Sequence, residues 1–271
     1  GPPRRDPRAA GRRPAARGRA MSTLPAGEKP ARTFLSAEWR WLAMLNYQVD
    51  PALLAPLVPP GTELDAWEGT TYASMVGFLF LDTRVLGVPI PLHRDFEEVN
   101  LRFYVRRRGP EGWRRGVVFV REIVPRLAIA TVARMVYEEP YVALPMRHRV
   151  DLDDSGALRP GGAVEYGWRW RGRWNSLRAT TEGAPEPLRA GSEEEFITEH
   201  YWGYTARGDG SCAEYRVEHP GWRTWRVSEA RLDCDAGTLY GPEWVEPLSG
   251  APRSAFVAEG SPVRVLAGAR L

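Results

Sequence analysis

Residues Asp95 to Val105 read D-F-E-E-V-N-L-R-F-Y-V, and from Glu98 onward the stretch alternates strictly. Val99, Leu101, Phe103 and Val105 fall on one side; Glu98, Asn100, Arg102 and Tyr104 fall on the other. A period of two is the signature of a β-strand. One face of this strand is apolar, and the other carries an acid, an amide, a guanidinium and a phenol. Four different hydrogen-bonding groups on one strand face exceed what contact with water requires.

Working outward, the chain shows the same texture nearly everywhere. Phe34–Val49 reads as a strand pair or a long bent strand, and Asp50-Pro51 caps a short helix over Ala52–Val58 that Pro59-Pro60-Gly61 ends. Leu64–Trp67 and Thr70–Leu81 are strands around a turn at Glu68-Gly69, and the Pro-containing segment Gly87–Arg94 is a loop. Arg106–Gly112 is a charged hairpin turn with its return strand over Trp113–Val124. Leu127–Tyr137 suits a short helix stopped by Pro140. Met146–Leu152 is a strand, and Ala163–Trp174 is another, with Trp168, Trp170 and Trp174 opposite Arg169, Arg171 and Arg173. Ser176–Thr181 continues the sheet. Ser192 caps a helix with Glu195 at the capping-box position. Strands over His200–Arg207, Ala213–His219, Thr224–Leu232 and Ser254–Val265 close the chain. About ten strands joined by turns predict an α+β, mostly antiparallel fold: two curved sheets forming a barrel-like sandwich with a few short helices.

Composition sets the limits. The 271 residues are 43% hydrophobic, with 11 tryptophans and 10 tyrosines, enough for a large core and a lined pocket. Residues 1–20 hold seven arginines against Asp6, a net of +6, which leaves −3 on residues 21–271 within a whole-chain charge of +3. The high pI is therefore local and does not argue for nucleic-acid binding. Residues 1–30 are expected to be a disordered Arg/Pro/Ala-rich leader, residues 1–20 being an extension ahead of Met21, and residues 31–271 to form a single domain. No secretory signal or apolar run of ~18 residues is present, so a cytoplasmic protein with no membrane contact is expected. Cys212 and Cys234 have no paired spacing, and no phosphate-binding or dinucleotide motif occurs, so no cofactor is expected. Of 37 basic residues, Lys29 is the only lysine. Imine chemistry needs a lysine in a pocket, and the body of the chain has none.

Four stretches taken in order carry a resemblance: D-P-A-L-L-A-P-L-V-P-P-G-T-E-L-D at 50–65, the D-F-E-E-V-N-L-R-F-Y-V strand, T-E-H-Y-W-G-Y-T at 198–205 and E-H-P-G-W at 218–222. Together they resemble the YqjF-like family, grouped with the acetoacetate decarboxylase-like fold, from about Leu35 to about Val265. The resemblance implies two curved antiparallel sheets around an interior pocket. The decarboxylases of this fold use a lysine Schiff base and a glutamate. Glu98 matches that glutamate. The residue after the proline in R-E-I-V-P-R-L is Arg126, which stays protonated and forms no imine.

The candidate site follows. Glu98 is expected as acid or base and Arg102 as the holder of a carboxylate or enolate; Asn100, Tyr104, His200, Trp202, Tyr204 and His219 are candidate ligand-binding residues. The simpler alternative is an ordinary Glu98–Arg102 ion pair on a solvated strand. His200 and His219 match no compact metal signature, and hydrogen-bonded pocket or core groups are the favoured reading over metal ligands. The Trp/Arg strand suits single-stranded nucleic acid in principle. Inward tryptophans beside solvated arginines explain it more simply, and nucleic acid is not the favoured partner. The leading expectation is a small acidic or carbonyl-bearing ligand in an interior pocket, with Schiff-base-independent lyase or hydrolase chemistry open. A non-catalytic interaction module is the alternative, and a homo-oligomer is left open.

Overall fold

The computed structural model describes residues 32–90, 94–125 and 140–271, of which Arg32–Leu271 belong to one compact unit. The leader, the expected helix at 127–137 and Arg126 lie outside the described residues.

The chain begins with β1 (Thr33–Gln48), one long strand that Trp41, at φ 52°, bends in the middle. Asp50 then accepts the amide N–H of Ala52 at 2.8 Å and opens α1 (Pro51–Leu54). After β2 (Glu63–Leu64), Glu68 and Gly69 turn with positive φ between bridged Trp67 and Thr70, as the sequence leads one to expect. The strands β3 (Tyr72–Val85), β4 (Val88–Pro89), β5 (Phe96–Gly109) and β6 (Gly112–Val124) follow. Next come β7 (Tyr141–Ala143), β8 (Met146–Val150), β9 (Ala163–Trp170) and β10 (Arg173–Pro187).

The stretch read as one strand over Ala163–Trp174 is instead the β9–β10 hairpin. Arg171 and Gly172 both take positive φ, the requirement of a two-residue turn, and Trp174 pairs with Arg169 rather than sharing a row with Trp168. The remaining elements are α2 (Glu193–Thr198), β11 (Trp202–Ala206), β12 (Cys212–Glu218), β13 (Arg223–Asp233), α3 (Ala236–Leu239), α4 (Val245–Ser249), β14 (Ser254–Leu266) and β15 (Ala269–Arg270). At α2, Ser192 Oγ accepts from Glu195 N–H, while the Glu195 carboxylate reaches back to the N–H of Gly191.

Hydrogen-bonded neighbours run β12–β11–β6–β5–β3–β1–β14, and β14 pairs back to β12, so these seven strands close a ring. The pairings are antiparallel except β11 with β6. From β14 the sheet continues through β13, β10, β9 and β8, which fold over the outside of β1, β3 and β5. The architecture is thus a barrel-like sandwich of mostly antiparallel strands.

Two apolar clusters result, one on each side of the shared wall. Val99, Leu101, Phe103 and Val105 pack outward against Val164, Tyr166, Trp168 and Leu177 of the covering sheet. The other side of the same wall, with Met44, Val76, Phe78 and Tyr104, faces the ring interior against Phe196, Ile197 and Trp222. Burying a strand on both faces supplies about 25 cal/mol per Å² of apolar surface twice over. It also takes the polar face of β5 out of water.

Candidate functional site

A cavity of about 170 Å³ opens inside the ring. Engineered cavities of ~150 Å³ accommodate benzene, so the space suits a small organic molecule. Its wall is largely aromatic. Phe80 stacks on Phe96 at 4.7 Å and lies edge-on to Trp39, and His219 stacks on Trp222 at 4.1 Å.

The polar groups come chiefly from β5. Glu98, Asn100 and Arg102 stand at successive inward positions, opposite Phe78, Val76 and Ser74 of β3. Asn100 pairs across β6 with Glu122, so a second buried carboxylate enters the same wall. His200 arrives from the far side, in the link between α2 and β11, and His219 from the end of β12. The structure therefore brings Glu98, Asn100, Arg102, His200, Trp202 and His219 to one cavity.

Two of the candidates are placed elsewhere. The Tyr104 hydroxyl is 2.7 Å from Ser74 Oγ, which donates to Asn46, so its polar tip is tied into the wall. Its ring supports His200 at 4.7 Å. Tyr204 points into the cluster between the sheets and donates to the carbonyl of Arg114 at 3.3 Å. Strand alternation does not reach His200, because β11 begins only at Trp202; within the strand, Trp202 and Tyr204 both border the cluster between the sheets.

Glu98 is 2% exposed. Burial raises its pKa to about 7, against the opposing pull of hydrogen bonds from Asn100 and Tyr141 and of the Arg102 charge. Asn100 donates to Oε1 at 2.9 Å and Tyr141 to Oε2 at 3.5 Å. Arg102 does not form the ordinary ion pair with Glu98. It donates to the carbonyl of Ile197 at 3.3 Å, lies 5.6 Å from the Tyr104 ring centroid, and forms no ion pair among the described residues.

His200 Nε2 lies 3.3 Å from Asp65 Oδ2, and Arg115 holds the same carboxylate at 2.7 Å. Burial brings the His200 pKa down to about 4 despite Asp65. His219 is lowered to about 4 by the same cause, partly offset by its contact with the Pro220 carbonyl. Both rings are neutral at pH 7. Asp65 and Glu122 escaped the sequence reading; Asp65 ends the 50–65 motif, and that position was its only signal. Among the described residues no three His, Cys, Asp or Glu side chains are grouped to hold a metal ion. In the Trp/Arg hairpin Trp168 is fully buried, while Trp174 is exposed with the Arg147 guanidinium 4.2 Å from its ring centroid.

Comparison with known proteins agrees with this architecture. The acetoacetate decarboxylase of Legionella pneumophila superposes with a TM-score of 0.63 at 14% identity, over 92% of this chain and 93% of that one. The enduracididine biosynthesis enzyme MppR complexed with pyruvate superposes at 0.61 and 15% identity, over 93% and 98%. Both likenesses concern the fold. In sequence, the chain is 28% identical over 208 residues to the uncharacterized protein YqjF of Bacillus subtilis, covering 74% of this chain and 78% of that protein. The profile of DUF2071, described as an uncharacterized conserved protein, matches residues 36–262, and the chain belongs to that family.

Proposed function

We propose that the cavity binds a small carboxylate with an adjacent carbonyl group and moves a proton at the carbon next to that carbonyl, without forming an imine. The observation that carries this reading is Arg102: a guanidinium without an ion pair among the described residues, lining an aromatic cavity on the same strand face as Glu98. A cation in such surroundings is offset by an anionic ligand, and a planar guanidinium matches a carboxylate.

Glu98 supplies the proton chemistry. With its pKa near 7, it is divided between acid and base at neutral pH, the condition in which a carboxyl group serves both roles. As base, a Glu98 oxygen takes the C–H proton, and the C–H electron pair moves through the adjoining carbon to the carbonyl oxygen, giving an enolate. Arg102 holds the carboxylate and offsets the added charge. Return of the proton from Glu98 restores the ligand. Residues 32–271 contain no lysine, so the scheme uses no side-chain imine from this unit. The pyruvate named with MppR supplies a first ligand to try.

The experiment is proton NMR of pyruvate in D₂O. The protein is expected to speed loss of the methyl signal, and Glu98→Gln to return the rate to the buffer value. Pyruvate and other small 2-oxo acids that neither bind nor exchange would overturn the reading.

A further inference from the structure

The hydrogen bonds of the cavity are unevenly filled. Asn100 spends its N–H on Glu98, and its Oδ1 is buried with no partner among the described residues. His200 Nδ1 is likewise buried and unpartnered among those residues. Its state follows from the other side of the ring. Asp65, 4% exposed and bound by Arg115, is ionised and accepts only. The proton of the neutral imidazole therefore sits on Nε2, facing Asp65 at 3.3 Å, and Nδ1 carries a lone pair. Arg102 Nε, by contrast, is a buried donor without a partner among the described residues.

A ligand that completes this set needs an anionic acceptor for Arg102 and a donor for His200. A ketone oxygen has no proton to donate, so beside Nδ1 and Asn100 Oδ1 it places acceptor against acceptor. A hydroxyl carries the missing proton. Arg102 and His200 are held near each other by one segment, since Arg102 donates to the carbonyl of Ile197, three residues before His200.

We infer that the cavity selects carboxylates bearing a neighbouring hydroxyl, either 2-hydroxy acids or the enol form of 2-oxo acids, with Arg102 taking the carboxylate and His200 Nδ1 accepting from the hydroxyl. Asp65 is the positioning residue that fixes the His200 tautomer. The inference rests on the carboxylate reading above and narrows its ligand: a neutral enol or a 2-hydroxy acid, unlike the ketone, supplies the proton that Nδ1 accepts.

The test is calorimetric titration of the whole protein with propionate, pyruvate, L-lactate and D-lactate, which share a three-carbon skeleton. One lactate enantiomer is expected to bind about tenfold more tightly than propionate, with pyruvate no tighter than propionate. In His200→Leu the lactate-to-propionate ratio is expected to fall to about one. ¹⁵N NMR of His200 in the unsubstituted protein is expected to show the proton on Nε2, and Asp65→Asn to shift it toward a mixture of tautomers. This readout also serves if the leucine variant does not fold. Binding of all four ligands with equal affinity overturns the hydroxyl selection and leaves the carboxylate reading standing. No binding at all overturns both. A proton found on Nδ1, or a lactate preference that survives His200→Leu, removes His200 from the role.

Discussion

Asn100 donates to Glu98 across 2.9 Å from a position two residues further along the same strand face, and both side chains are only 2% exposed. A strand face that is polar in sequence is thus an interior wall, and its acid is stripped of water without gaining a salt bridge among the described residues.

Stability carries the mark of that burial. Glu98 has its folded pKa raised from 4.5 to about 7, so its contribution is full below pH 4.5 and is lost as pH rises through about 7. His200 and His219, lowered from 6.5 to about 4, act oppositely: their contribution is present above pH 6.5 and lost as pH falls toward 4. The Glu98 effect is isolated by comparing unsubstituted protein with Glu98→Gln. The stability difference should shift toward the variant by on the order of 3 kcal/mol between pH 4.5 and 8, read from urea unfolding at several pH values.

Catalysis should show the same group with the opposite slope. The base form of Glu98 grows as pH rises, so pyruvate exchange in D₂O should increase through about pH 7 and level off above it. A rate flat across pH 6–8 would separate Glu98 from the proton transfer.

Arg102→Met should leave the fold intact, since among the described residues the side chain bonds to a backbone carbonyl and the Met44 sulfur and lies over the Tyr104 ring, with no ion pair to lose. Its cost should fall on ligand binding, about 1.5–3 kcal/mol for a charged hydrogen bond, or about 10- to 150-fold weaker carboxylate affinity by calorimetry.

Gly260 is the ring's tightest backbone position. It has φ +80°, and an added Cβ would lie 2.0 Å from the carbonyl oxygen of Trp39, a residue that lines the cavity. Gly260→Ala should destabilise by about 2–4 kcal/mol, combining left-handed strain with overpacking. The denaturant midpoint measures it.

The alternation in 98–105 fixed a strand and sorted its residues into two rows, because side-chain direction in a strand is a local property. The turn at Glu68-Gly69 and the caps at Asp50 and Ser192 were legible for the same reason: each is settled by a few neighbouring residues. The single lysine was equally plain, and composition alone bounded the chemistry. Local pattern failed at Trp174, where a reversal at Arg171-Gly172 was read as continuation, and at Tyr204, whose assumed partner His200 is not in the strand. What faces the polar row of β5 was not legible at all. Closure of β12 on β14 and the folding of β8–β10 over the outer wall decide that both rows are buried, and these pairings join residues more than forty positions apart. Only that closure brings Asp65 to His200 and leaves Arg102 beside a raised Glu98, because desolvation and convergence depend on every strand of the ring together.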